Sequence, residues 1–126
     1  MRINNRHYIR GRFVRDPATS EAKDGSGRQF LFGRLAVEQP FTDAKGDTKT
    51  RTGYFELKVF DSASVTELLK GGVKTGTLIE ATGSSWLESS EYEKDGEKRT
   101  SYQISMTVDD PEHHSIKIEA QPRNAA

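Results

Sequence analysis

Four aromatic residues, Phe41, Tyr54, Phe60 and Tyr92, occupy places where a minimal fold would carry polar side chains. Each ring offers a flat π-face, and Lys45, Lys49, Arg51, Lys58, Lys94, Lys98 and Arg99 lie near them in the chain. Rings interleaved with cations can stack unpaired bases, at about 1–3 kcal/mol per base, and neutralise the phosphates between them. Arg10, Arg12 and Arg34 are further candidates for phosphate contact. The rings could equally pack against a second layer or anchor a subunit or protein partner, since β-rich faces favour aromatics in any case. The other chemically suggestive grouping is Asp109-Asp110-Pro111-Glu112-His113-His114, carboxylates and imidazoles of the kind that hold a divalent ion. Adjacent side chains of an extended segment diverge, and no second ligand cluster accompanies it, so a solvated loop is expected, with no metal and no cofactor. No Gly-x-Ser-x-Gly elbow or phosphate-cradling glycine loop is present, and no catalytic residue or enzymatic activity is expected.

The elements that position these residues must fit in 126 residues, the length of about one domain. Hydrophobic residues make up 33% and charged residues 30%, polar for a globular chain but sufficient for one core. No apolar run approaches a membrane span, and the absence of cysteine excludes disulfides and thiol chemistry; a soluble, cytoplasmic protein is expected. The net charge of zero conceals an asymmetry: residues 1–60 carry 12 Lys/Arg against 7 Asp/Glu, and residues 61–126 carry 7 against 12. A basic half suits an anionic partner.

Period-two alternation predicts a strand from Asn5 to Arg15, with His7, Ile9, Gly11 and Phe13 inward, stopped by Asp16-Pro17. A second strand, about Arg28 to Gln39, turns Leu31, Gly33, Leu35 and Val37 inward and ends at Pro40. Residues 42–53 hold no large apolar side chain and are expected to form a mobile polar loop. A third strand, Tyr54 to Phe60, buries Phe55, Leu57 and Val59 and leaves Tyr54, Glu56, Lys58 and Phe60 on the other face. A short helix follows, with Ser64 and Glu67 as a capping box, Val65, Leu68 and Leu69 on one face and Gly71-Gly72 as the stop. A long hairpin then joins the fourth and fifth strands, from Thr77 through a turn at Lys94-Asp95-Gly96-Glu97 back to Val108, with Ile104, Met106 and Val108 inward. The expected organisation is a binding domain over 1–110 and, over 111–126, a short Ile116–Ile118 strand with a loose tail. Five strands with one helix between the third and fourth is the element order of an OB-fold, an all-β Greek-key barrel.

Specific residue runs add a resemblance. Asn5-Arg6-His7-Tyr8-Ile9-Arg10-Gly11-Arg12-Phe13-Val14-Arg15-Asp16-Pro17 resembles the first strand of bacterial and phage single-stranded DNA-binding proteins, with the Gly-x-x-x-Arg-Asp-Pro ending intact. Leu35-Ala36-Val37 is similar to that family's second-strand motif, and Tyr92-Glu93-Lys94-Asp95-Gly96-Glu97-Lys98-Arg99 to its hairpin tip. The resemblance covers about residues 3–110. It implies an OB-fold that binds single-stranded DNA without strong sequence preference, protecting it in replication, recombination or repair, with Phe41, Tyr54, Phe60 and Tyr92 at the base-stacking positions. It also implies a homo-oligomer, a dimer or tetramer, whose contact would run along the first-strand edge at Asn5, His7, Tyr8 and Ile9.

The family usually carries tryptophan where this chain has Phe and Tyr, so somewhat weaker contacts per base are expected. Residues Gly71 to Gly76 are additional, and Trp86 in the lengthened fourth strand is a further stacking candidate that could also pack at a sheet edge or subunit contact. The family's acidic tail, which recruits replication and repair proteins, has no counterpart in the final run Gln121-Pro122-Arg123-Asn124-Ala125-Ala126. Two other functions fit the same residues: an OB-fold adaptor that binds a protein partner, and an RNA-binding OB domain, since RNA bases stack equally well.

Overall fold

Alternation along each strand builds a barrel wall with one buried face. The computed structural model describes residues 4–122. Its elements are β1 (His7–Phe13), β2 (Ala18–Glu21), β3 (Gln29–Thr42), β4 (Thr48–Val59), α1 (Ser62–Lys70), β5 (Leu78–Lys94), β6 (Glu97–Val108) and β7 (Ser115–Ala120). Strands β1, β3, β4, β6 and β5 neighbour one another in that order, and β1 pairs again with β5, which closes a five-stranded ring. Every pairing in the ring is antiparallel except β4 with β6, the parallel contact that a Greek-key path leaves. The helix lies between the third and fourth strands of the ring, so the expected OB-fold is present. Two strands flank it, β2 on β3 and β7 on β5.

The inward residues make one core: Ile9 and Phe13 from β1, Leu31 and Leu35 from β3, Leu57 and Val59 from β4, Ile79 and Ala81 from β5, Met106 and Val108 from β6, with Val65 and Leu68 of α1. Removing this apolar surface from water is the main favourable term in folding. The helix starts at Asp61, whose carboxylate accepts a hydrogen bond from the Ser64 hydroxyl (2.6 Å), so the expected Ser64–Glu67 capping box does not form. Leu69, expected on the buried face, is exposed; of the helix side chains, Val65 and Leu68 are the buried ones.

Several other expectations are corrected. His7 is exposed where inward placement was expected, since the covered part of the wall begins at Ile9. Ile104 is likewise largely open, two residues before Met106 enters the core. Pro40 does not end its strand, and residues 42–53 are not a mobile loop. β3 and β4 stay in register as a two-stranded arm from Val37 opposite Gly53 to Thr42 opposite Thr48. Main-chain pairing and β-branched threonines at 48, 50 and 52 hold the arm without an apolar core. Its turn is closed by Asp43, whose carboxylate accepts from the Lys45 and Asp47 amides (2.9 and 3.0 Å), with Gly46 at φ 85°. The β5–β6 turn falls where expected, with Asp95 and Gly96 both at positive φ.

β7 shares β5 with the barrel, so residues beyond 110 belong to the same sheet. Gln121 anchors the following segment, accepting from Thr77 (2.9 Å) and donating to the Gly71 carbonyl (2.6 Å). The remainder of the tail expected to be loose, residues 123–126, lies outside the described residues. The first-strand motif also has a structural role, because Asp16 accepts from the Thr75 amide and hydroxyl, both at 2.8 Å, and joins the end of β1 to the approach to β5.

Gly83 is the point where β5 passes from pairing with His7 of β1 to pairing with β6 at Ser84. A Cβ there would collide with the Thr107 carbonyl oxygen, part of the backbone that closes the barrel. Gly83→Ala is therefore expected to destabilise the fold by about 1–3 kcal/mol and to lower the melting temperature by several degrees. Gly53→Ala, where a Cβ meets nothing closer than 3.8 Å, should melt much nearer the unsubstituted chain in the same circular-dichroism experiment.

Candidate nucleic-acid interface

Partners in register point to the same side of a sheet, so the pairings place each outward side chain. On β3 and β4, Phe32 stands opposite Lys58, Arg34 opposite Glu56, and Ala36 opposite Tyr54. Glu56 and Lys58 in turn neighbour Ser105 and Thr107 of β6. Across β6 and β5, Trp86 stands opposite Ser105, Glu88 opposite Gln103, and Tyr92 opposite Arg99. Tyr54, Phe60, Trp86 and Tyr92 therefore share the outward face of the β3–β4–β6–β5 wall and its hairpin. Tyr54, Trp86 and Tyr92 are 53%, 54% and 46% exposed.

Phe41 is placed differently. The unbroken register sets it on the opposite face of the β3–β4 arm from Tyr54, with Lys49 and Arg51. The Arg51 guanidinium lies 4.2 Å from the Phe41 ring centroid, making a ring-and-cation unit of its own. Phe60 is only partly exposed because Phe30 and Phe32 meet it edge to face, at centroid distances of 5.1 and 5.9 Å. Neither phenylalanine was singled out from the sequence. The signal was present, however: the alternation that turns Leu31 and Gly33 inward turns Phe30 and Phe32 outward.

The cations divide into engaged and free. Arg34 lies 5.0 Å from the Tyr54 ring centroid and 3.7 Å from Glu56, so a positive charge sits beside any base laid on that ring. Lys58 donates to both oxygens of Glu88 (2.9 and 2.8 Å), and this contact holds the Glu88 carboxyl below its ordinary range. Lys49 pairs with Asp43 (3.1 Å), and Arg99 lies 3.7 Å from Glu97. Arg10 is turned toward β7 and paired with Glu119, beside the Lys117–Glu80 pair, so its charge is already matched. Arg12 donates to the Gly76 carbonyl (2.9 Å). Among the described residues Lys45, Arg51, Lys94 and Lys98 make no ion pair, and all four lie on the two hairpin arms.

The first-strand edge is partly used within the chain. Asn5 exchanges hydrogen bonds with the Ser85 main chain (3.0 and 3.1 Å), the Tyr8 hydroxyl donates to Glu80 (3.0 Å), and Ile9 is buried. β1 reaches β3 only at Arg12 and Phe13, which leaves the other edge of His7 to Gly11 unpaired among the described residues. Beneath that edge opens an apolar trough lined by Tyr8, Ile9, Phe55, Trp86, Leu87 and Ile104.

The acidic and imidazole cluster is not extended. Asp110 accepts the His113 and His114 amides, and this turn draws Asp110, Glu112 and His113 side-chain atoms within 4.8 Å of one another, contrary to the expected divergence. The group is closed on itself: His113 Nδ1 lies 2.8 Å from Asp110, a contact that lowers the Asp110 pKa, and the Glu112 amide donates to the other Asp110 oxygen (3.0 Å). No helix among the described residues is long and apolar enough to cross a membrane.

A closed OB barrel whose outer sheet face carries exposed rings among arginines and lysines defines the class of this protein. It belongs to the single-strand binding protein family, whose sequence profile matches residues 4–111. Solved structures share the fold: the Plasmodium falciparum SSB in complex with ssDNA superposes with a TM-score of 0.65 at 15% identity, covering 95% of this chain and 98% of that one. A small single-stranded DNA-binding protein from Streptomyces coelicolor gives 0.59 at 18% identity, over 93% and 96% of the two chains. The single-stranded DNA-binding protein from Thermus aquaticus gives 0.58 at 23%, over 93% of this chain and 50% of that one. No curated protein sequence matches the chain.

Because Glu88 occupies Lys58 in the middle of the aromatic face, Glu88→Gln should release a cation to phosphate. Oligo-dT titrations between 50 and 200 mM salt, conditions chosen for counterion release, are expected to show tighter binding at low salt and a log–log slope steeper by up to about 0.7.

Proposed function

We propose that this chain binds single-stranded DNA passively, with little sequence preference, by laying bases on exposed rings and drawing phosphates to neighbouring cations. The observation that carries the reading is the placement of Tyr54, Phe60 and Tyr92 outside the core on one sheet face, with Arg34 beside Tyr54 and Arg99 opposite Tyr92. Phe41 with Arg51 adds a contact on the other face of the β3–β4 arm, so a strand engaging all four rings must pass around that arm. Free Lys45, Lys94 and Lys98 supply phosphate contacts toward the tips. Membership of the single-strand binding family supports this use of the face. The role is protection of unpaired DNA during replication, recombination or repair in the cytoplasm, without a catalytic step.

The double substitution Tyr54→Ala with Phe60→Ala removes two stacking contacts and is expected to weaken oligo-dT binding at least about tenfold, while the chain keeps a cooperative melting transition lowered only by the lost Phe60 contacts to Phe30 and Phe32. Fluorescence titration alongside a duplex of equal length checks both parts of the reading. Retained affinity in the variant, or equal affinity for the duplex, would exclude stacking as the binding mode.

Self-association belongs to the same proposal. The unpaired edge of β1 and the apolar trough below it form a continuous surface, and Leu87 and Tyr102 beside it are 71% and 68% exposed. A second copy covering it would bury side chains that no element of this chain reaches, and Trp86 on the trough rim is assigned to that contact. Leu87→Glu would set a charge in the covered surface; sedimentation should then show a smaller species than the unsubstituted chain. A mass identical in both would remove this surface from the proposal.

A further inference from the structure

Phe30 and Phe32 are outward residues that serve no evident purpose in the fold. They belong neither to the core nor to the half-buried side chains packed against it, and each is only partly exposed because it meets Phe60. Phenylalanine has no polar group to present to water, so three such rings on a solvent-facing sheet form an apolar surface without a covering layer.

The geometry points to Phe30, Phe32 and Phe60 forming one three-ring subsite that holds an unpaired nucleobase of the single strand. This rests on the stacking reading above and extends it to two residues and a pocket shape. The Phe30 and Phe32 rings stand at 80° and 78° to Phe60, so the cluster is a corner and not a flat platform. A planar base laid against one ring meets another with its edge, and both offset-stacked and edge-to-face contacts are favourable. The flank is open, because the β2 residues opposite Phe32 and Phe30 are Ala18 and Ser20, both small, on a strand exposed throughout. Cations border the corner: Arg28 lies 6.0 Å from the Phe30 centroid, held by Asp24 (2.8 Å), and Lys58 stands opposite Phe32. Both cations are paired, Arg28 with Asp24 and Lys58 with Glu88, so what the corner offers a base is chiefly its π-faces, with the two cations close enough to exchange a carboxylate for a phosphate. Phe60, just past the end of β4, lies six positions from Tyr54, about 20 Å of extended chain, so the corner takes a different base from the Tyr54 ring.

The test uses Phe30→Leu and Phe32→Leu, which keep apolar bulk and remove the π-face, with Tyr54→Ala in parallel. Each leucine variant is expected to weaken oligo-dT binding roughly threefold or more. The salt dependence should keep its slope, because no cation is lost. In the unsubstituted protein, photocrosslinking to an oligonucleotide containing 5-iodouracil should map to Phe30 or Phe32, a result that indirect support of Phe60 would not produce. Weakened binding by Tyr54→Ala, with unchanged binding by both leucine variants and crosslinks only elsewhere, overturns the corner and leaves the stacking reading in place. Unchanged binding in all three variants overturns the stacking reading itself. If a leucine variant loses its native melting transition, the crosslink position in the unsubstituted protein decides.

Discussion

A closed five-stranded barrel can bury only one side of each strand, and the period-two alternation of side chains follows from that limit. Ile9, Phe13, Leu31, Leu35, Leu57, Val59, Ile79, Met106 and Val108 fill the inside, with Val65 and Leu68 at one end. Large apolar residues at the intervening positions then gain little from folding. That is why Phe30, Phe32, Tyr54, Phe60, Trp86 and Tyr92 carry information about binding. The same closure demands tight backbone approaches, of which Gly83 against Thr107 is the plainest.

Electrostatics refine the picture that counting charges suggests. Arg10, Lys49 and Lys58 are each matched to a carboxylate, at Glu119, Asp43 and Glu88. Exposed ion pairs of this kind contribute little stability, but they lower the positive potential a phosphate meets. Lys45, Arg51, Lys94 and Lys98 on the arms are unmatched, and two arginines, Arg34 and Arg51, lie on rings. The arrangement leaves little long-range positive potential, in keeping with a net charge of zero.

The two arms carry rings and cations beyond what the core can support. The β3–β4 arm carries Phe41 and Arg51 on the face opposite Tyr54, and the β5–β6 arm carries Tyr92 with Arg99. Main-chain ladders hold both in register where side-chain burial is absent. On the other side, β7 and Gln121 tie the chain's later segment to β5, Thr77 and Gly71, so the approach to β5 is held from both directions.

Alternation, turn residues and the helix stop were legible in the sequence because they are local. The inward sets of β3 and β4, Met106 and Val108 of β6, the Asp95-Gly96 turn, the helix and the outward placement of Tyr54 and Phe60 all follow from spacing a few residues long. So did the family resemblance, which rests on contiguous runs. Residues 42–53 form an arm and not the expected loop because main-chain pairing with the neighbouring Val37 to Thr42 segment stabilises them, and composition does not report pairing. The face that Phe41 occupies, the matching of Arg10 by Glu119 and of Lys58 by Glu88, and the convergence of Phe30 and Phe32 on Phe60 join residues 30 to 109 positions apart, or rings on neighbouring strands. Only the closed barrel's register brings such groups together, and that register emerges from the packing of the whole core.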